Sequence, residues 1–293
     1  LTQDGEEYVF TYQGADGRLH YRIRPTGRWE DIVARWEGRG ASFHPCVGGG
    51  IYLQTPGGPA APQVIEPVGV QREGDELRLQ LRLSAGDVSA QAEYVFRLWG
   101  KTLVIDTICR GGQVAEVRYG ALVGLENPRL VTNPYYHYNR QGRPAVVVTG
   151  LPDQPLFVAG HTDWYLSNAS EPFAINQVKD GQVFYNGGTR YTPKTNGERN
   201  DCYERFFVTV TPRFEETLPT IPNPVSPWKH ITGTRFWRPH GAGDRERDKA
   251  YWRRFHRLGV TEMVVTDHET MWRDGGESFT FRVNAAPKKG GDQ

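Results

Sequence analysis

The chain contains few lysines, few cysteines and no long apolar run, and each of these shortages limits the functions that the protein can have. Only seven of its 35 basic residues are lysine, so arginine supplies most of the positive charge. The basic residues are balanced by 34 acidic ones, and a net charge of +1 argues against a general nucleic-acid binder. No apolar run exceeds about five residues, whereas a helix needs roughly 20 to cross a bilayer. We therefore expect no membrane span.

Motifs for cofactors, metals and nucleophiles are also missing from the sequence. The three cysteines, Cys46, Cys109 and Cys202, are far apart along the chain and form no CxxC pair. The glycines at 48–50 lack the helix and lysine that follow a phosphate-binding loop, and there is no GxSxG. His44 lies near Cys46 in sequence, but adjacency does not place an imidazole against a thiol. We expect no cofactor and no metal.

Turn-forming residues and alternating strands are abundant instead. Glycine and proline number 34 and 20. Over residues 76–83 four leucines alternate with charged or amide side chains, which is typical of a strand buried on one face. Turn signals recur about every ten residues between 74 and 112, which favours an antiparallel sandwich. Further strands are predicted at 8–12, 20–23, 88–98, 102–108, 117–123, 145–149, 183–185 and 206–211.

The pattern changes after residue 215. Four prolines within residues 218–227 indicate a stiff linker. Asp244 is a candidate cap for a helix that ends at Gly259, and residues 260–266 then predict a short apolar strand of the parallel type. The predicted organisation is a β-sandwich over 1–215, a linker over 216–243 and the start of a (β/α) barrel over 244–293. One such α/β unit cannot bury its own apolar faces. We therefore expect that the chain continues with further units, or that this unit packs on the sandwich or on another chain. A homo-oligomer is one form that the last alternative can take.

The densest group of polar functional residues follows that last strand. In α/β barrels the loops after the strands build the active site. Asp267, His268 and Glu269 can hydrogen-bond sugar hydroxyls, Trp272 can stack on a pyranose ring, and Arg273 can hold a carboxylate or a pair of hydroxyls. We predict that these five residues bind substrate. The alternative interpretation is a turn with solvated charges.

Weaker candidates lie in the sandwich. Residues 133–140 place three tyrosines around His137 and are expected to form a loop. This loop either reaches the cleft of a partner domain or packs between domains. His161 has Asp163 two residues away, and a carboxylate can orient an imidazole. A third hypothesis is a mutarotase-like epimerase, which needs acid and base groups in the sandwich cleft. His137, His161 and Glu204 are its candidates.

The C-terminal sequence resembles a known enzyme group. The segment Gly259–Thr280, which reads GVTEMVVTDHETMWRDGGESFT, and the segment Ala286–Asp292, APKKGGD, resemble barrel openings in glycoside hydrolases related to the endo-α-N-acetylgalactosaminidase group. The resemblance implies a galactose-mutarotase-like antiparallel β-supersandwich, a linker and the first unit of a (β/α)8 barrel. It also implies that the catalytic carboxylates lie on later barrel strands, beyond residue 293, so no catalytic residue is assigned.

The expected function is therefore that of the N-terminal portion of a retaining glycoside hydrolase that acts on α-linked carbohydrate. The first residue is Leu1 rather than methionine, which suggests processing upstream and an extracellular or periplasmic location. The alternative is a non-enzymatic module that binds carbohydrate or assembles into an extracellular structure, with the barrel fragment as an interface.

Overall fold

The structure is a computed structural model that describes residues 1–133, 142–218, 225–239 and 245–266. The chain divides into two compact units, Leu1–Ile221 and Pro222–Gln293. The predicted substrate-binding residues at 267–273 and most of the tyrosine-rich segment at 133–140 lie outside the described residues.

The first unit consists mainly of β-strands, numbered here in chain order. Those before residue 100 are β1 (Thr2–Asp4), β2 (Glu7–Gly14), β3 (Gly17–Ile23), β4 (Ile32–Trp36), β5 (His44–Val47), β6 (Gly50–Thr55), β7 (Gly58–Ala60), β8 (Val64–Glu73), β9 (Glu76–Ala85) and β10 (Val88–Trp99). Those after it are β11 (Thr102–Cys109), β12 (Val114–Arg118), β13 (Ala121–Val123), β14 (Arg129–Thr132), β15 (Ala145–Leu151), β16 (Gln154–Thr162), β17 (Glu171–Phe173), β18 (Gln177–Lys179), β19 (Gln182–Phe184), β20 (Gly188–Arg190) and β21 (Cys202–Thr211).

The largest sheet has eight strands in the order β14-β15-β16-β21-β11-β10-β9-β8, each antiparallel to its neighbours. Strand β9 shows why it forms. All four of its leucines, Leu77, Leu79, Leu81 and Leu83, are buried, because side chains alternate between the two faces of a strand. The prediction of a half-buried strand here is confirmed, and so is the mainly β, antiparallel character of the unit.

Three smaller antiparallel sheets complete the first unit. Strands β1 to β4 form a meander in chain order. It is tied to the large sheet by Tyr21, whose hydroxyl lies within hydrogen-bond distance of two carbonyl oxygens, those of Lys101 at 2.9 Å and Val208 at 3.0 Å. The second has five strands in the order β17-β20-β12-β6-β7, and the third has four in the order β18-β19-β13-β5.

One predicted strand is wrong in its extent. The sequence at 117–123 predicts a continuous strand, but the chain leaves β12 and enters β13 in a different sheet. Gly120 makes the break, because its φ of +80° is in the left-handed region. A Cβ there would lie 2.4 Å from the carbonyl oxygen of Val47 and 2.5 Å from the amide nitrogen of Gly49.

The core of the first unit is rich in aromatic side chains. Trp29, carried by a short 3-10 turn at Trp29–Asp31, lies 5.6 Å from the ring of Tyr94 and 5.7 Å from the ring of Phe206. Tyr119 in turn lies 4.4 Å from Phe206, measured between ring centroids. These rings join the large sheet to the smaller ones across a shared core.

The second unit contains helix α1 (Lys229–Thr232), strand β22 (Phe236–Pro239), helix α2 (Arg245–Arg257) and strand β23 (Met263–Thr266). Strands β22 and β23 pair in parallel, with α2 between them in the chain. The predicted helix and strand are both present, and Gly259 follows the helix with a φ of +81°. The described part of the predicted linker contains α1 and β22, and neither element was predicted from the sequence. Within the described ranges, no helix has the length and apolarity needed to cross a membrane.

Candidate functional site

The five residues predicted to bind substrate begin immediately after the last described strand. Strand β23 ends at Thr266, and Asp267 is the next residue. In parallel α/β sheets, ligands bind beyond the carboxyl ends of the strands. Because residues 267–273 lie outside the described part, their role as a substrate-binding wall stays a prediction.

The candidate pair of His161 and Asp163 does not form an oriented acid/base unit. The Nε2 nitrogen of His161 donates to the carbonyl oxygen of Thr217 at 2.7 Å. Burial lowers the pKa of His161 to about 4, although that hydrogen bond opposes the shift. Asp163 uses Oδ1 to accept from the backbone amide of Tyr165 at 3.2 Å, and so stabilises the turn that follows β16. The imidazole is therefore neutral at pH 7 and has a structural contact.

His161 and Glu204, two candidates for an epimerase, lie on opposite faces of the large sheet. His161 pairs with Phe207 across β16 and β21. Phe206, next to it, points into the core against Trp29. Since side chains alternate along a strand, Glu204 shares the core face with Phe206, and His161 shares the other face with Phe207. The sheet itself separates the two groups, so they cannot act on one substrate atom.

Glu204 is instead part of a buried polar cluster between the sheets. Its Oε1 oxygen accepts hydrogen bonds from the hydroxyl of Ser167, at 3.0 Å, and from the hydroxyl of Tyr191. Burial raises the pKa of Glu204 to about 7 against the opposing effect of these hydrogen bonds. The carboxyl group has no exposed surface, so substrate has no access to it.

The cysteines offer no nucleophile either. All three thiols are free and buried. Burial raises the pKa of Cys46 to about 12 and that of Cys109 to about 11, and it raises that of Cys202 as well. The neighbouring His44 donates through Nδ1 to the carbonyl oxygen of Glu30 at 2.8 Å. This agrees with the expectation that sequence adjacency does not make a thiol-imidazole pair.

A row of polar side chains on the five-stranded sheet forms a surface site in the described part of the first unit. Tyr52, Glu116, Arg190 and Glu171 are successive cross-strand partners on β6, β12, β20 and β17. They share the face opposite the core, because their strand neighbours Ile51 and Val117 are buried in it.

Glu116 holds the two arginines of this site in place. Its side chain is only 6% exposed. The Oε2 oxygen accepts from Nε of Arg118 at 2.7 Å, and Oε1 accepts from Nε of Arg190 at 2.9 Å. Arg190 also donates through Nη1 to Glu171 at 2.8 Å. One buried carboxylate therefore fixes two guanidinium groups, and a second carboxylate lies beyond them.

Both guanidinium groups also stack on aromatic rings. The guanidinium carbon of Arg118 lies 3.9 Å from the centroid of the Tyr52 ring, and that of Arg190 lies 4.9 Å from the Phe173 ring. Stacking of this kind stabilises a cation over the ring face and restricts its rotation. The donors of both arginines are thus held in fixed directions at the edge of an open groove.

The groove beside these arginines has a volume of about 510 Å³. Polar side chains of Glu116, Arg118 and Arg190 line one part of it, while Phe173 and Ile175 contribute apolar surface. The groove is open to solvent, and its lining combines polar and apolar side chains, as the linings of small-molecule sites do. We call it the β12 groove.

The β12 groove was not predicted from the sequence, although the sequence contains a weak signal for it. Residues 114–118 read VAEVR, so a charged residue interrupts an apolar run, and Glu116 and Arg118 are two apart and share a face. The contribution of Arg190 could not be read from sequence, because it depends on the pairing of β12 with β20, more than 70 positions along the chain.

In the described part of the first unit, the β12 groove is arranged for binding. The carboxylates of Glu116 and Glu171 both accept hydrogen bonds from arginine. No group of three or more histidine, cysteine, aspartate or glutamate side chains is placed to hold a metal ion in the part of the chain that the structure describes. No protein-family model matches the chain, and no curated protein matches it significantly.

Proposed function

We propose that this chain is the N-terminal portion of a glycoside hydrolase that acts on α-linked carbohydrate. The observation that carries the proposal is the parallel β22-α2-β23 unit, which follows an antiparallel β unit in the same chain. A strand, a helix and a parallel strand in succession form the repeating element of α/β barrels. The resemblance to the endo-α-N-acetylgalactosaminidase group implies the same order along the chain, with antiparallel sheets followed by a βα repeat.

The finer architecture is part of the same proposal. The eight-stranded sheet and its smaller partners correspond to a galactose-mutarotase-like supersandwich, and β22-α2-β23 corresponds to the first unit of a (β/α)8 barrel. The location is extracellular or periplasmic, where an enzyme meets polymeric carbohydrate.

The substrate-binding role falls to the segment after β23. Asp267, His268 and Glu269 contact sugar hydroxyls, Trp272 stacks on a pyranose ring, and Arg273 adds a bidentate donor. The nucleophile and the general acid/base lie beyond residue 293. In a retaining enzyme they are about 5–5.5 Å apart.

Hydrolysis of aryl α-glycosides by the full-length natural protein, with Trp272→Ala beside the wild type, tests this proposal. Loss of a stacking residue is expected to raise KM about tenfold, or about 1.4 kcal/mol, with kcat little changed, because stacking binds ground state and transition state alike. Trp228→Ala is the matched control, since Trp228 is 64% exposed in the same unit. An unchanged KM in Trp272→Ala would remove the assigned role. No turnover of any α-glycoside would overturn the proposal in favour of the non-enzymatic module.

A further inference from the structure

We infer that the β12 groove is a saccharide-binding site for a neutral sugar, with Arg118 and Arg190 donating hydrogen bonds to adjacent hydroxyls. The site lies in the first unit and uses none of the residues assigned to hydrolysis. The inferred saccharide site is therefore distinct from the proposed enzymatic function, and each of the two can be tested without the other.

The hydrogen-bond inventory leaves donors for a ligand. A guanidinium group carries five N–H donors. Arg118 directs Nε and Nη2 at Glu116, and Arg190 directs Nε at Glu116 and Nη1 at Glu171. The described contacts therefore leave Nη1 of Arg118 and Nη2 of Arg190 for other acceptors. Both donors belong to guanidinium groups held by one carboxylate, and such groups can donate to the hydroxyl oxygens of a pyranose ring.

The arginines are organised before any ligand arrives. Arg118 lies between the buried carboxylate of Glu116 and the ring of Tyr52, and Arg190 lies between the same carboxylate and the ring of Phe173. A side chain that is already ordered loses less conformational entropy on binding, which otherwise opposes association by about 0.5–1.5 kcal/mol per side chain.

The charge balance favours a neutral ligand. The guanidinium groups of Arg118 and Arg190 both contact the carboxylate of Glu116, and Arg190 also contacts Glu171. A ligand carboxylate would bring a third negative charge next to Glu116, which lines the groove and is shielded from solvent. A hydroxyl pair can accept from the arginines and donate to Glu171, whose side chain is 34% exposed.

The apolar wall matches the other face of a sugar. Phe173, Ala174 and Ile175 line the groove beside the arginines. Phe173 is only 6% exposed, so Ile175, which is 37% exposed, supplies most of the apolar surface. A pyranose has a polar edge of hydroxyls and a face of C–H groups, so one ring can use both walls at once. A metal ion or a phosphate would gain nothing from the apolar side.

The test is saturation-transfer NMR and calorimetric titration of the whole chain with four probes: methyl α-D-galactopyranoside, methyl α-D-glucopyranoside, methyl α-D-mannopyranoside and D-glucuronate. At least one neutral glycoside is expected to bind, and more tightly than glucuronate. Arg190→Lys keeps the charge but loses the planar fork, so affinity should fall at least tenfold. Arg213→Lys is the matched control, because Arg213 is 59% exposed and pairs with Glu215 elsewhere on the unit.

Thermal unfolding of each variant separates loss of the site from loss of the fold. If Arg190→Lys is unfolded, Glu171→Gln replaces it, because the side chain of Glu171 is 34% exposed and accepts a hydrogen bond from Arg190. Absence of binding by all three neutral glycosides, tighter binding of glucuronate, or equal affinity in the wild type and the folded variants would overturn the inference. Turnover by the full-length protein bears only on the catalytic proposal, so the two failures are distinguishable.

Discussion

Thr107 and Glu204 face each other across β11 and β21, and both side chains are fully buried between the sheets. Ser167 and Tyr191 donate to one oxygen of the Glu204 carboxyl. The other oxygen, Oε2, and the Thr107 hydroxyl have no hydrogen-bond partner among the described residues. A carboxyl group in such a place is more stable with a proton than without one.

The stability of the fold should therefore depend on pH through Glu204. Its folded pKa is raised to about 7 from an ordinary value near 4.5, so the folded state holds a proton that the unfolded state releases. The contribution is fully present below pH 4.5 and is lost as the pH rises to about 7. The loss is between about 3 and 4 kcal/mol, since each pKa unit corresponds to about 1.4 kcal/mol.

Glu204→Gln removes this titration and isolates its effect. Urea unfolding of both proteins between pH 4 and 8 should show the wild type losing stability relative to the variant as pH rises. A difference between the two proteins that stays constant over this range would contradict the assignment.

The three thiols should be inert in the folded protein. Burial raises their pKa values, and Cys109 and Cys202 are cross-strand partners on the core face, shielded by the opposite sheets. Reaction depends on thiolate and on access. A disulfide reagent such as dithiobis(nitrobenzoate) at pH 8 should release no thionitrobenzoate from native protein and three equivalents in denaturant. Rapid labelling of native protein would show that the core is open to reagent.

Gly120→Ala should be strongly destabilising. The added methyl group would meet the backbone at Val47 and Gly49, within 2.5 Å, and neither backbone can move without disturbing the change of sheet. Gly86→Ala is the matched control, because Gly86 has a φ of +58° with no atom within 4 Å of the added carbon. The control should cost about 1 kcal/mol for the left-handed conformation. Gly120→Ala should cost at least about 2 kcal/mol more in urea unfolding, and equal losses would rule out the steric explanation.

The secondary-structure elements that depend on short segments of sequence could be predicted from the sequence. The alternating leucines of β9, the helix α2 and its terminating Gly259 all follow from the periodicity and conformational preference of short segments. The break was signalled only by Gly120 itself, because a glycine inside a strand pattern can mark a bulge or a close backbone approach. Residues 117–123 do not identify Val47 as the neighbour that requires it.

The candidate site was harder to predict because its residues meet through strand pairing. Glu116 and Arg190 become neighbours only through the register of β12 with β20. The separation of His161 from Glu204 depends likewise on which residues of β16 and β21 are opposite each other. A one-residue shift in that register would have put both on one face.

We propose that this chain begins an enzyme that hydrolyses α-linked carbohydrate. The most direct test of this proposal is NMR observation of the sugar released when the full-length natural protein is incubated with matched α- and β-linked oligosaccharides. We predict hydrolysis of α-linked substrate only, with the first-formed product in the α configuration, as expected for a retaining enzyme. Recovery of every α-linked oligosaccharide intact, or cleavage confined to β-linked substrates, would contradict it.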